Sequence, residues 1–358
     1  MGIGSYVFNS NHMTFMTLNT SVTPRLHGGS DALGVPRHDF STNSNACGPC
    51  PAALAVVRQA DPGPYPDAGY SDLRRQLAAF HGVDMPRIVL AASASEFIFR
   101  ITALSAQRAG GSAAVWLPPH SYGDYAQAAS AHRLTLVSDP VNAQLLWACE
   151  PSSPLGVAQS GLADMVDAQA QSASVVLDRA YEPLRLGGAP SLTTAQLDTV
   201  WQIWTPNKAL SLTGVRAAYA IAPLHAEATA AELDQLCPSW PIGAHGVALL
   251  QAWTGLETQA WLAISLNTLR DWKARQVALC ESLGWVCLPS DANFFCARSA
   301  LPQGVTLEQA LQRLRAQGIK LRDAASFGLP GRVRLSVQPP AAQDALNNAW
   351  QQLTKDMK

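Results

Sequence analysis

Charge is scarce in this chain. Of its 358 residues only 14% are charged, and the 25 basic and 26 acidic side chains nearly cancel. A net charge of −1 supplies no field that would gather nucleic acid or an anionic membrane, so neither is expected as a partner. Long apolar runs are missing as well: no stretch approaches the roughly 20 residues that a bilayer span needs. The N-terminus, MGIGSYVFNSNHMTFMTLNTS, lacks a basic start followed by an apolar block. It does not read as a secretory signal, and a cytoplasmic protein is expected. Residues 1–16 read as a polar, disordered extension, with Met13 and Met16 as alternative starts. The seven cysteines, at 47, 50, 149, 237, 280, 287 and 296, are odd in number and scattered, which is no disulfide framework. Neither a second CxxC nor a paired histidine is present, so no zinc site is expected. Cys47-Gly48-Pro49-Cys50 matches a thioredoxin-type redox motif letter for letter. It lies between polar STNSNA and Pro51, without the preceding strand that such chemistry needs.

Apolar residues, by contrast, make up 48%, enough for a large core. The length implies two to three domains, or one large α/β unit with a smaller lobe. From Arg87 onward short apolar runs alternate with helical patterns. Strands are predicted at 88–90, 114–117, 134–137, 145–149, 175–177, 200–204 and 216–221, and such alternation argues for a mostly parallel seven-stranded sheet covered on both faces. Before them, YSDLRRQLAAFHG predicts an amphipathic helix with Tyr70, Leu73, Leu77 and Phe80 on one face, closed by Gly82. A long helix over roughly Glu257–Leu283, striped by Trp261, Leu262, Leu266, Leu269 and Trp272, precedes a second pattern. That pattern (strands WVCL and ANFFCARS, helix TLEQALQRLRAQG, strands IKLR and RVRLSV, a last helix over Ala342–Thr354) is a small α+β lobe. The expected division is an arm at 17–60 joining the small lobe, a large domain at 61–256 and the small domain at 257–358.

The most informative stretch is WTPNKALSLTGVRAAY, Trp204 to Tyr219. It places Lys208 in a loop between two apolar runs that read as buried strands. A partly desolvated amine there is suited to imine formation with a carbonyl, while a plain loop lysine over a sheet edge is the alternative. Asp178 closes the strand SVVLD, where a carboxylate points into the ligand crevice of an α/β sheet or simply caps the strand. Ala94 and Ser95 open the helix after IVLAAS; free N–H groups at a helix start suit a phosphate, and an ordinary N-cap serine reads the same way.

Thr205, Lys208, Leu212, Gly214 and Arg216 fill every slot of the lysine motif of fold-type I pyridoxal phosphate (PLP) enzymes, and the segment resembles it. HGG, then DFS-x-N-x-N, then GP resemble the entry segment of the histidinol-phosphate aminotransferase and threonine-phosphate decarboxylase branch. The resemblance runs from His27 to the last helix, and it implies the PLP-dependent transferase fold of type I in a homodimer with sites at the interface. It further implies that Lys208 bonds the cofactor and moves the substrate proton. Thr205 and Arg216, with Ala94 and Ser95, would hold the cofactor phosphate. Asp178 would pair with the pyridine nitrogen, Tyr181 with the phenolic oxygen, and Tyr122 would stack on the ring, Tyr125 being the fallback. Tyr65, otherwise a proline-flanked turn aromatic, would reach the phosphate in the partner subunit. Arg334 would clamp the substrate carboxylate and Arg322, otherwise a surface arginine, a substrate phosphate, with His27 and Asn45 joining that end. Two departures stand out: Ala218 replaces a glycine before Tyr219, and EPSSPLG replaces NPNNPTG, putting Ser153 where the family has an asparagine on the phenolic oxygen. The implied activity is transamination between an amino acid and a keto acid. Decarboxylation of a phosphorylated threonine and a non-catalytic descendant of the fold are the alternatives.

Overall fold

The structure, a computed structural model, describes residues 28–169 and 172–355. The expected extension at 1–16 and the candidate His27 lie outside the described residues. The strands in chain order are β1 (His38–Asp39), β2 (Ile88–Ala91), β3 (Ala114–Trp116), β4 (Thr135–Val137), β5 (Leu145–Cys149), β6 (Ser174–Asp178) and β7 (Trp201–Trp204). They continue as β8 (Ala218–Ile221), β9 (Val286–Cys287), β10 (Phe294–Arg298), β11 (Ile319–Lys320), β12 (Arg322–Asp323) and β13 (Val333–Ser336).

Seven of these form one sheet in the order β2-β8-β7-β6-β5-β3-β4. β3 to β7 are parallel, and only β8, between β7 and β2, runs against its neighbours. All seven expected strands are present, with ends moved by one or two residues. Alternation along each strand separates two cores. Val89, Leu145, Trp147, Val176 and Ile203 face one side, packed under helices α3 (Ala94–Arg108) and α4 (Gly123–Ala131). Ile88, Leu90, Tyr219 and Ile221 face the other, under α1 (Pro51–Gln59) and α2 (Ser71–His81). Because both faces are covered, β5 and β7 are buried throughout; β5 reads as a continuous apolar run, and β7 is interrupted by the buried Gln202. Helix α2 ends at Gly82, whose φ of 65° closes it in the left-handed region as expected. Phe80 departs from the expected stripe and is exposed.

The long helix spans Leu256–Ser282, with Leu262 and Leu269 of its stripe buried and Trp261, Leu266 and Trp272 packed half-buried against the same core. Beyond it lies an antiparallel four-stranded sheet, β12-β13-β10-β9. The single strand expected at 319–322 is two. β11 pairs in parallel with β1 of the arm, and β12 pairs with β13. The arm is what divides them: Phe40 donates its N–H to the Lys320 carbonyl and accepts from the Ser336 N–H, so the arm runs between β11 and β13. Gly28 presses on this arm so closely that an added Cβ would lie 2.2 Å from the Ser41 carbonyl oxygen.

Candidate active site

The carboxyl ends of β5, β6 and β7 open at one edge of the main sheet, the usual ligand crevice of such folds. β6 ends in Asp178, which is buried. Its Oδ2 accepts the Tyr125 hydroxyl at 2.7 Å and its Oδ1 accepts the Ala180 N–H at 2.9 Å. Tyr125 rises from α4 and stacks on Trp147 of β5 with ring centroids 4.4 Å apart. Burial, and next the Asp178 charge, pushes the Tyr125 phenol far above its ordinary value, so it stays a donor to the carboxylate. Cys149, ending β5, is likewise held as a neutral thiol by burial and by Asp178.

Tyr181 follows Asp178 by one turn. Its ring lies 5.3 Å from the Lys208 Nζ and meets Phe294 edge-on at 4.7 Å, and its hydroxyl accepts from Asn43 Nδ2 at 3.3 Å. Lys208 is half-buried in the loop after β7. The Lys208 carbonyl accepts the Asn45 N–H at 2.9 Å and the Ser44 hydroxyl at 3.4 Å, so the arm fastens the lysine loop. Thr205 donates to Asn207 Oδ1 at 2.8 Å, and Asn207 in turn donates to the Val215 carbonyl at 3.3 Å, which closes the loop on itself. Arg216, expected at the head of a strand, sits before β8 with its side chain exposed.

Two cationic features border this floor. At the start of α3 the N-cap is Ser93, which accepts the Glu96 N–H at 3.0 Å; this leaves the Ala94 and Ser95 N–H groups ahead of the helical ladder. Ser95 therefore has no capping duty, and its hydroxyl meets the Tyr122 hydroxyl at 3.2 Å. Burial, against that hydrogen bond, pushes the Tyr122 phenol well up. On the other side, Arg322 and Arg334 stand opposite each other on β12 and β13, each 7% exposed. Arg334 donates to Ser153 Oγ at 3.2 Å and to the Ser41 carbonyl at 3.1 Å. Among the described residues it has no ion pair, and its buried Nε finds no acceptor. Arg322 donates to Ser326 at 2.8 Å, and both guanidiniums lie over the Phe327 ring, at 4.9 and 5.2 Å. Burial and then the Arg334 charge lower the Arg322 pKa, the mark of two like charges brought together out of water.

Residues 38–353 match the family model of aminotransferase class I and II. The chain belongs to that family. A relative from Jannaschia sp. (strain CCS1), a histidinol-phosphate aminotransferase, is 28% identical over 323 residues, covering 84% of this chain and 87% of the relative. In fold, the chain is similar to the solved structure of histidinol-phosphate aminotransferase from Sinorhizobium meliloti in complex with pyridoxal-5'-phosphate. That likeness has a TM-score of 0.76 and 22% identity over 88% of this chain and 90% of the other. It is also similar to L-threonine-O-3-phosphate decarboxylase from Porphyromonas gingivalis, with a TM-score of 0.66 and 20% identity over 84% and 92% of the two chains.

As a class I and II aminotransferase, the chain takes pyridoxal phosphate as its cofactor. The residues present fit that group: a buried carboxylate at a strand end, an amine beside a tyrosine, and free N–H groups at a helix start are the donor set it needs. Some expected members stand elsewhere within the chain. Tyr65 is 77% exposed and stacks on Trp240 at 4.4 Å. Asn45 is buried with its amide engaged by the Ala209 carbonyl, Ser265 and the Cys47 N–H, so it ties the lysine loop to the long helix rather than facing the substrate end. In the Cys-Gly-Pro-Cys stretch, Cys50 caps α1 and both sulfurs pack on the long helix, Cys47 against the Ser265 carbonyl and Cys50 against Thr258. Burial raises the Cys47 thiol, against the thiolate that redox exchange requires. Asn43, Ser41, Phe294 and Phe327 were not expected in the site. The signal for Asn43 was there: residues 41, 43 and 45 alternate as the buried face of an extended arm, so Asn43 shares the face for which Asn45 was singled out.

Proposed function

We propose that this aminotransferase acts on an amine substrate that carries an anionic group remote from the amine, a phosphate as in the relatives named histidinol-phosphate aminotransferase. The observation carrying this reading is the pair Arg322 and Arg334, buried side by side over Phe327 and linked through Phe294 and Tyr181 to Lys208. Arg334, without an ion pair among the described residues, asks for an anionic group from the ligand, and the Arg322 charge across the strand pair favours a second, so that a carboxylate and a phosphate suit this end of the site. In this reading Arg334 grips the carboxylate of the amino acid or keto acid, and Ser153, already within its reach, orients the guanidinium. Arg322 takes the phosphate.

Pyridoxal phosphate, when bound, supplies an electron sink for the substrate Cα. The chain supplies the rest. Asp178, fixed by Tyr125 and Ala180, holds a proton on the ring nitrogen. Tyr181 would donate to the ring oxygen, Tyr122 would cover the ring, and the Ala94 and Ser95 N–H groups, with Thr205 and Arg216, would receive the phosphate. Lys208 would anchor the cofactor and move the Cα proton. Arg216, exposed in the single chain, and Tyr65 belong to a homodimer in which Tyr65 of one subunit completes the site of its partner. The division into arm (17–60), large domain (61–256) and small domain (257–358) is part of the same reading. A second reading is decarboxylation of a phosphorylated amino acid, favoured because the two arginines would serve the carboxylate and the phosphate of a single molecule.

The deciding experiment is the visible absorption spectrum of the purified protein with added PLP, beside Lys208→Ala, followed by a panel of phosphorylated and plain amines. A pH-dependent band lost in the variant supports the site. Keto product with an acceptor acid supports transamination, and release of CO₂ supports the second reading. Washing PLP out of the wild type without a band would leave only a retained fold.

A further inference from the structure

Asn43 is 2% exposed and lies on the arm between the two halves of the site. Two residues before it, the Ser41 carbonyl accepts from Arg334; one and two residues after it, Ser44 and Asn45 hold the Lys208 carbonyl. Its own Nδ2 reaches the Tyr181 hydroxyl at 3.3 Å. An amide nitrogen can only donate, so in this contact the Tyr181 oxygen is the acceptor and the phenolic proton must be given elsewhere. The Tyr181 ring lies 5.3 Å from the Lys208 amine, and Phe294 packs against it edge-on with ring centroids 4.7 Å apart. The Lys208 amine places this ring beside the proposed cofactor crevice. A second observation also points there: Asn43 Oδ1 is buried and has no partner among the described residues. A buried acceptor is costly to leave unmade, so this end of the amide is set for a donor that the bound ligand brings.

We propose that Asn43 is a positioning residue for the cofactor, its amide fixing the Tyr181 hydroxyl so that the tyrosine proton is delivered to the anionic oxygen of the pyridoxal ring. The inference rests on the PLP site proposed above. Without Asn43 the hydroxyl is free to rotate, and the hydrogen bond to the ring oxygen is made only part of the time. Such a bond favours the deprotonated, anionic state of the lysine-bound chromophore. Its loss raises the pH at which the visible band titrates.

The test is a pH titration of the visible band in four holoenzymes: wild type, Asn43→Ala, Tyr181→Phe and the double variant. Asn43→Ala should raise the midpoint by about half to one pH unit, the size of one neutral hydrogen bond, and Tyr181→Phe by at least as much. In the Tyr181→Phe background the Asn43 substitution should then do nothing further, because the hydroxyl through which it acts is gone. An unchanged midpoint in Asn43→Ala, or a shift that adds in full on Tyr181→Phe, would overturn the proposal. A merely structural role predicts that additive result. Should Asn43→Ala fail to fold, Asn43→Leu keeps the volume without the donor and is judged by the same criteria. A wild type with no visible band sinks the PLP site and this inference together, whereas a normal wild-type band with a flat Asn43 series sinks the inference alone.

Discussion

In the proposed site Lys208 and Arg334 have different parts of the chemistry, and their substitution should separate them. Lys208→Ala should keep the fold, because among the described residues the amine makes no hydrogen bond or ion pair and lies 5.3 Å from the Tyr181 ring, yet reduce turnover at least about 10²–10⁴-fold as a lost proton carrier. Thermal unfolding and steady-state kinetics on one preparation check both halves. Arg334→Lys should act on binding. A lysine keeps the charge but not the two-pronged donor that meets Ser153 and the Ser41 carbonyl, so KM for the carboxylate substrate should rise about 10- to 100-fold with a smaller change in kcat. Equal losses in kcat and kcat/KM would instead place Arg334 in the transition state alone.

Among the elements, α2 and β8 meet through a half-buried histidine that ties stability to pH. Trp253 donates to the Tyr219 hydroxyl at 3.0 Å, and the same hydroxyl is hydrogen-bonded to His81 Nε2 at 2.8 Å, where a neutral ring can accept its proton. Burial, and then the Arg179 charge, lowers His81 from 6.5 to about 4. Between these values the unfolded chain binds a proton there and the folded chain does not. The stabilising contribution is therefore present above pH 6.5 and lost as pH falls through the window, by up to about 3 kcal/mol. Urea unfolding at pH 7, 5.5 and 4 should show this slope, and His81→Gln should flatten it. Gly156 is a second element-scale constraint. With φ at 73°, an added Cβ would lie 2.2 Å from Ser290 Oγ where the 150–156 loop meets the smaller sheet. Gly156→Ala should cost about 2 kcal/mol or more in denaturant unfolding.

Most of these elements were legible in advance, because a strand covered on both faces leaves an unbroken apolar run and a capped amphipathic helix leaves its period and its closing glycine. The strand at 319–322 was misjudged because its division is imposed by Phe40, nearly 300 residues away, and no local pattern records that. Within the site, the positions of Asp178 at the end of β6 and Lys208 in the loop after β7 were legible, while the roles proposed for them came from the resemblance to the lysine motif. That Asn43 rather than Asn45 turns to Tyr181, and that Ser93 rather than Ser95 caps α3, are decided by tertiary hydrogen bonds that composition and period do not encode.

At the scale of the whole molecule, the exposed Tyr65–Trp240 stack and the exposed Arg216 bear on the proposed homodimer. If Tyr65 completes the partner's site, mixing Tyr65→Ala with Lys208→Ala subunits should regenerate intact sites in the mixed dimers, up to about a quarter of the wild-type number for random pairing. Activity that never exceeds the sum of the two separate variants would show that each site is built within one chain.

The arm joins segments made at opposite ends of synthesis. Ser41 and Arg334 are 293 residues apart, and Phe40 pairs with both Lys320 and Ser336. While a ribosome is still producing the main sheet, the arm has emerged but its partners have not, and its apolar Phe40 waits uncovered. Long-range closure of this kind comes late in folding. A protease added to stalled nascent chains should therefore cut the arm until residues near 336 are free of the ribosome, then lose access abruptly. The ability to bind cofactor should appear at that same chain length rather than grow with it.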